Sequence, residues 1–272
     1  KEMINLNGKY GVMANDVFNY MCNYPAYMGY LYYQTHNEFL RVWGIARTRQ
    51  GKSLAYGFVS HNDVWGADFT AHHSGLTFGQ DKGYIIAKAY ILKSILEQVP
   101  EYQALQLPDQ VALEVSHNLV ESGVDLLIKR RDSMIGLKVA ASAILRSPEL
   151  PFFMVKAYAG EFSDYANISY LEAAKIIAST ETDFRKRMIL YGQALMQDEA
   201  TAIQLISEDW AELAIGFFAM YGITLPEGTD LTPLIKFAIG QAMEICKGDF
   251  DGEVEATINF VNQQLLLYRI IY

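Results

Sequence analysis

The chain has only two cysteines, Cys22 and Cys246, in 272 residues. No disulfide framework can be built from them, and two thiols do not fix a redox compartment. Proline is scarce, at seven residues, which leaves room for long uninterrupted helices. No apolar run reaches the roughly 18 residues that a bilayer-spanning helix needs, so no transmembrane segment is expected. Basic residues are outnumbered: 22 Lys and Arg face 31 Asp and Glu, for a formal charge of −9. An acidic chain is poorly suited to duplex nucleic acid, where affinity comes from neutralising phosphates. It still suits a metal enzyme with a phosphorylated substrate, because the ion supplies the local positive charge. Histidine is absent after residue 117. The first residue is Lys1 rather than Met, so a trimmed start is expected, in a cytoplasmic protein or a secreted one whose signal peptide has been removed.

What is present is apolar and periodic. Hydrophobic residues make up 51% of the chain, enough for one large domain or two small ones. Apolar positions recur at three- and four-residue intervals over Tyr84–Val99, Leu107–Lys129, Ser133–Leu145, Leu171–Ser179, Asp183–Gln197, Thr201–Tyr221, Leu231–Cys246 and Val254–Tyr272. Strand-like alternation is confined to Phe39–Ile45. The fold class expected is all-α, a multi-helix bundle. The best internal boundary is Arg146–Pro151 (RSPELP). It separates a metal-binding region, 1–147, from a helical C-terminal region, 148–272, either distinct or packed on the first as one unit. Asp249, Asp251 and Glu253 resemble the start of a calcium loop but lack its closing Glu, so a solvated turn is expected there.

The five histidines are His36, His61, His72, His73 and His117. Four of them lie in two segments that also carry carboxylates, Ser60–Gly75 and Glu114–Leu127. Imidazole and carboxylate at short spacing form the donor set of zinc and related divalent ions. Along an unbroken helix, His61, Asp68 and His72 would share one stripe, and Asp68 and His72 would lie one turn apart. A break at Gly66 would bring Asp63 or His73 in as ligands instead. His117 and Glu121 form H-x-x-x-E, one turn apart on a strongly periodic helix. Asp125, a turn further on, is a candidate to orient His117. His36 is a ligand for a further ion or a member of an aromatic cluster with Tyr32, Tyr33 and Trp43. Taken singly, any of these pairs is an ordinary surface pair; two such segments in a chain with no later histidine favour a metal site.

In order and rough spacing these residues resemble the zinc-dependent phospholipase C family, whose fold is shared by single-strand-specific zinc nucleases. His117-Asn-Leu-Val-Glu121 matches the family's H-x-x-x-E, and Ser60-His61 and Ala71-His72 resemble its leading elements. The resemblance covers about Phe39–Leu127. It implies a mostly helical fold, here with a helical C-terminal extension, and one to three zinc ions or other divalent metals. The implied ligands are His61, Asp68, His72, His117 and Glu121, with His36 and His73 as further candidates. The implied activity is hydrolysis of a phosphodiester or phospholipid by metal-activated water, with Asp63 as the candidate general base. The chain departs from the family pattern four residues after His61, where Trp65 stands in place of Asp. Asp68 or Asp63 must then supply the carboxylate.

Three other readings compete. An HD-type metal phosphohydrolase would use the ordered histidines, but Asn62 separates His61 from Asp63. Ala46–Ser53 nearly spells a phosphate-binding loop after the candidate strand, with Ala46 in place of the first Gly. A non-catalytic helical binding protein with a Tyr-rich surface would need no metal.

Overall fold

The computed structural model describes residues 2–21, 23–77 and 82–271. Lys1, Cys22 and Tyr272 lie outside the described residues, so the reading of the chain start, the Cys22 thiol and the last residue of the C-terminal helix are not addressed. Among the described residues there is no strand, and fourteen α-helices follow one another: α1 (Glu2–Met13), α2 (Pro25–Asn37), α3 (Leu40–Ile45), α4 (Arg49–His61), α5 (Ala67–His72), α6 (Tyr84–Leu96), α7 (Pro100–Gln103), α8 (Asp109–Arg131), α9 (Ile135–Leu145), α10 (Glu149–Ala166), α11 (Tyr170–Leu195), α12 (Glu199–Met220), α13 (Thr232–Cys246) and α14 (Phe250–Leu267). A 3-10 segment, Ala14–Tyr20, joins α1 to α2. Among the described residues no helix is long and apolar enough to cross a membrane.

Two compact units form, interleaved in sequence. The first comprises 1–69, 137–192 and 258–272; the second comprises 70–136 and 193–257. Arg146–Pro151, expected as a boundary, lies inside the first unit. Ser147 N donates to the buried Asn7 Oδ1 at 2.6 Å. Arg146 Nη2 donates to Glu181 Oε2 at 2.8 Å, and Nε lies 2.5 Å from Oε1. A segment tied to α1 and α11 in this way is an internal corner rather than a linker.

In the first unit, α1 packs on α4 at backbone distance. A Cβ at Gly11 would fall 2.1 Å from Leu54 O, and one at Gly57 would fall 1.9 Å from Gly8 O. Only glycine permits that approach. Around the pair sit the buried side chains Tyr10, Phe18, Leu31, Phe58, Tyr158, Phe162 and Phe184. Phe39–Ile45 is helical, not extended: Phe39, Val42 and Ala46 are all buried, a three- and four-residue period that puts one face into the core. Leu171–Ser179 and Asp183–Gln197, read as two helices, are one helix. Its polar middle is accommodated because Thr180 Oγ1 donates to Ile176 O, while buried Glu181 meets Arg146 and the Tyr10 hydroxyl, 3.0 Å away.

In the second unit, α8 packs against α6, α12 and α13. Gly123 lets α8 approach α13 closely, since a Cβ there would lie 2.7 Å from that of Ala242. The expected solvated turn at Gly248–Gly252 leads instead into α14, and Glu253 is buried. Asp249 accepts from Tyr84 Oη at 2.6 Å and from Lys88 Nζ at 2.5 Å.

Candidate metal centres

Each unit gathers histidines and carboxylates into one cluster. In the first unit these are Asp16, His36, His61 and Asp68. The 3-10 segment is fixed to α2 by reciprocal bonds between two fully buried side chains. Asn15 Nδ2 donates to Thr35 O at 3.0 Å, and Thr35 Oγ1 donates to Asn15 O at 2.9 Å. The next residue on each side, Asp16 and His36, is thereby brought into register. After His61 the helix ends rather than continuing. Buried Asn62 accepts from Val64 N and Trp65 N on its side-chain oxygen and from Gly66 N and Phe69 N on its carbonyl. A Cβ at Gly66 would fall 2.3 Å from His61 O, so glycine is required by close approach in this turn. The unbroken stripe through His61, Asp68 and His72 is therefore not formed. The turn returns Asp68 to His61 in the first unit, and His72 joins the cluster of the second.

The contacts converge. His36 Nε2 lies 3.3 Å from Asp16 Oδ1 and 3.9 Å from Asp68 Oδ2; His61 Nε2 lies 3.6 Å from an oxygen of each carboxylate. His36 is fully buried, and its Nδ1 donates to Tyr32 O at 2.9 Å. A carbonyl only accepts, so Nδ1 carries a proton, and Nε2 faces two carboxylates. Either a proton on Nε2 or a cation among these groups satisfies that arrangement. Tyr32 stacks on the ring at 3.8 Å, and its hydroxyl lies 3.4 Å from Asp68 Oδ2. The aromatic environment expected of His36 and its role as a candidate ligand thus coexist.

The second cluster is His72, at the C-terminus of α5, with His117 and Glu121 on α8. His72 Nε2 and His117 Nε2 are 2.9 Å apart; Glu121 Oε1 lies 3.4 Å from the former and 3.1 Å from the latter. A tetrahedral ion with bonds of about 2.0–2.1 Å separates its ligand atoms by about 3.3 Å. The triangle's edges, 2.9, 3.1 and 3.4 Å, run from shorter than that spacing to equal to it, and hydrogen bonds among the three groups span the same separations. Glu114, three residues before His117, places Oε1 3.6 Å from His117 Nδ1, an ion-pair distance at which the carboxylate favours the protonated ring. Burial opposes protonation of His117, but the Glu121 carboxylate and hydrogen bonds to Glu114 and Glu121 outweigh it and push its pKa up to about 9. Burial likewise opposes ionisation of Glu121; the adjoining imidazoles outweigh it and hold the carboxyl well below its ordinary range. A pKa near 9 leaves the His117 ring protonated at neutral pH.

His61, Asp68, His36, His72, His117 and Glu121 are thus all in clusters. His73 is exposed and belongs to neither. Asp63 has a carboxylate oxygen within 4.8 Å of one on Asp68, and its backbone N donates to His36 O at 3.0 Å. Two residues were not anticipated. Asp16 lies in a 3-10 segment with no periodicity to flag it. Glu114 is at a legible spacing, E-x-x-H-x-x-x-E, and faces His117 from the preceding turn. Trp65 is a core residue, edge-on to Phe39 and stacked on Tyr268 at 5.0 Å, which is why the carboxylate falls to other positions. Asn62 is committed to its turn, so the adjacent His-Asp pair of the HD-type reading is not built. The phosphate-loop reading also fails. Thr48 Oγ1 caps Gly51 N at 2.9 Å, a helix precedes it, and Lys52 donates to Trp43 O and lies over that ring. Compared with protein-family models, with curated proteins and with solved structures, the chain finds no match.

Proposed function

We propose that the protein is a metal-dependent phosphodiester hydrolase, probing a phosphodiester or phospholipid substrate with zinc held at His72, His117 and Glu121. The observation that carries this reading is the His72–His117–Glu121 triangle, 2.9, 3.1 and 3.4 Å on its edges. Catalytic zinc sites use three protein ligands and keep a fourth position open, whereas structural sites close with four. By that rule a three-ligand centre such as His72–His117–Glu121 is open for catalysis; the first unit gathers Asp16, His36 and His61 likewise, with Asp68 at 3.9 and 3.6 Å from the two rings. His72, His117 and Glu121 would hold the ion, which would supply Lewis-acid polarisation of a phosphoryl oxygen and lower the pKa of water at the centre. Glu121 brings the anionic charge, His72 and His117 bring neutral nitrogens, and Glu114 faces His117 Nδ1 from the preceding turn. Asp63, the general base suggested by the sequence, lies in the first unit, and this reading gives it no step at the His72 centre. The all-α fold agrees with the resemblance to zinc phospholipase C, and Asp16 and His36 supply an early Asp and His that its further metal would use.

The test is elemental analysis of protein purified without added metal, for wild type, His117→Ala and His36→Ala, with hydrolysis assayed on a chromogenic phosphodiester and on phosphatidylcholine vesicles. Zinc should fall in both variants, and hydrolysis should vanish in His117→Ala. A wild type that holds no metal, and takes up none on reconstitution, would overturn the hydrolase and leave a helical binding protein.

A further inference from the structure

His117 and Glu121 come from one helix, so their mutual geometry is set by α8 alone. His72 is the ligand of that centre supplied by a different segment, and its alignment depends on whatever holds residues 70–77. That anchor is the start of α14. Glu253 is buried, and its carboxylate accepts from Leu76 N at 2.5 Å, Thr77 N at 2.7 Å and Thr77 Oγ1 at 2.5 Å. One helical turn on, Thr257 Oγ1 shares a 2.9 Å hydrogen bond with Thr70 Oγ1. One face of α14 therefore grips the chain on both sides of His72. Gly83 completes the seating: a Cβ there would lie 2.1 Å from Ala71 O and 2.2 Å from His72 N, so its bare Cα packs on the backbone of the ligand itself.

A buried carboxylate is costly to desolvate, and accepting three donors offsets that cost. A neutral side chain would fill the space without it. We infer that Glu253 and Thr257 are positioning residues that hold His72 in line with His117 and Glu121, and so set the metal affinity of that centre. The inference rests on the metal reading of the His72 centre and extends it to a helix that contributes no ligand.

The test uses Co2+ as the probe, titrated into the full chain and followed by visible absorption, well below the thermal midpoint. His117→Ala identifies the band of the His72 centre. Glu253→Gln should bind Co2+ there about tenfold or more weakly, the usual cost of losing a group that orients a ligand. Thr257→Val should show a smaller loss in the same direction. Binding at the first centre and the far-UV circular dichroism should be unchanged. If Glu253→Gln fails to fold, Thr77→Val and Thr257→Val, which remove only hydroxyls, carry the same test. Wild-type affinity and band shape in variants that are merely less thermostable would reduce Glu253 to a structural role and overturn the inference. A wild type without a Co2+ band that depends on His117 would overturn the metal reading beneath it.

Discussion

Metal binding at the His72 centre should be coupled to proton release, and the coupling has a defined size. In the metal-free protein the His117 pKa is about 9, so at neutral pH the ring holds a proton that an incoming ion must displace. Glu121 is ionised across the neutral range and adds no further proton. Between pH 6 and 8 the apparent affinity should therefore rise about tenfold per unit and level off above about pH 9. At pH 7 the proton costs about 3 kcal/mol of binding free energy, at 1.36 kcal/mol per unit. The assay is zinc titration by calorimetry in buffers of different ionisation enthalpy, with wild type compared against His117→Ala to isolate this centre. About one proton should be released per ion at pH 7. Stability of the metal-free fold runs the other way. A folded pKa raised above the ordinary value near 6.5 stabilises below that value, and the contribution is lost as pH climbs through about 9. Raising the pH should thus weaken the metal-free protein while strengthening its hold on zinc. A zinc affinity that is flat from pH 7 to 9, or a plateau beginning near pH 6.5, would refute the assignment of the raised pKa to His117 and its carboxylates.

Two further outcomes follow from the packing. Gly57→Ala should destabilise the first unit by about 1–3 kcal/mol or more, because its Cβ meets the rigid backbone of Gly8 rather than a movable side chain; the thermal midpoint reads this directly. Glu181→Ala should cost about 3–5 kcal/mol by leaving the Arg146 guanidinium nearly buried without its partner, and denaturant titration of the single variant beside Glu181→Ala/Arg146→Met should show the second change recovering much of the loss.

Helix positions were legible because burial imposes a three- and four-residue period, and α6, α8, α9, α12 and α13 fall within a few residues of where that period placed them. It misled where polar residues interrupt a helix. Thr180–Thr182 looked like a break in α11, but the break is filled by Glu181 pairing with Arg146, a partner distant in sequence that no local pattern could announce. The His117–Glu121 pair was legible for the same reason as α8, since one turn of helix fixes it. The destination of Asp68 was not. It depended on Asn62 winding a turn with its own side chain, and on Gly66 fitting against the His61 carbonyl. Asp16 was least legible of all, because its approach to His36 is set by two buried hydrogen bonds between Asn15 and Thr35.

The interleaving of the two units sets an order of events during synthesis. The second unit has all its residues once Thr257 has been made, although it begins only at Thr70. The first unit contains α1 to α4 yet lacks its segment 258–272 until translation has passed that segment. Trp65, beside the first cluster, has no Tyr268 to stack on until then. All four candidate ligands of that cluster are in the nascent chain long before the core around them can close. Of the two units, the one begun earlier is the one completed later.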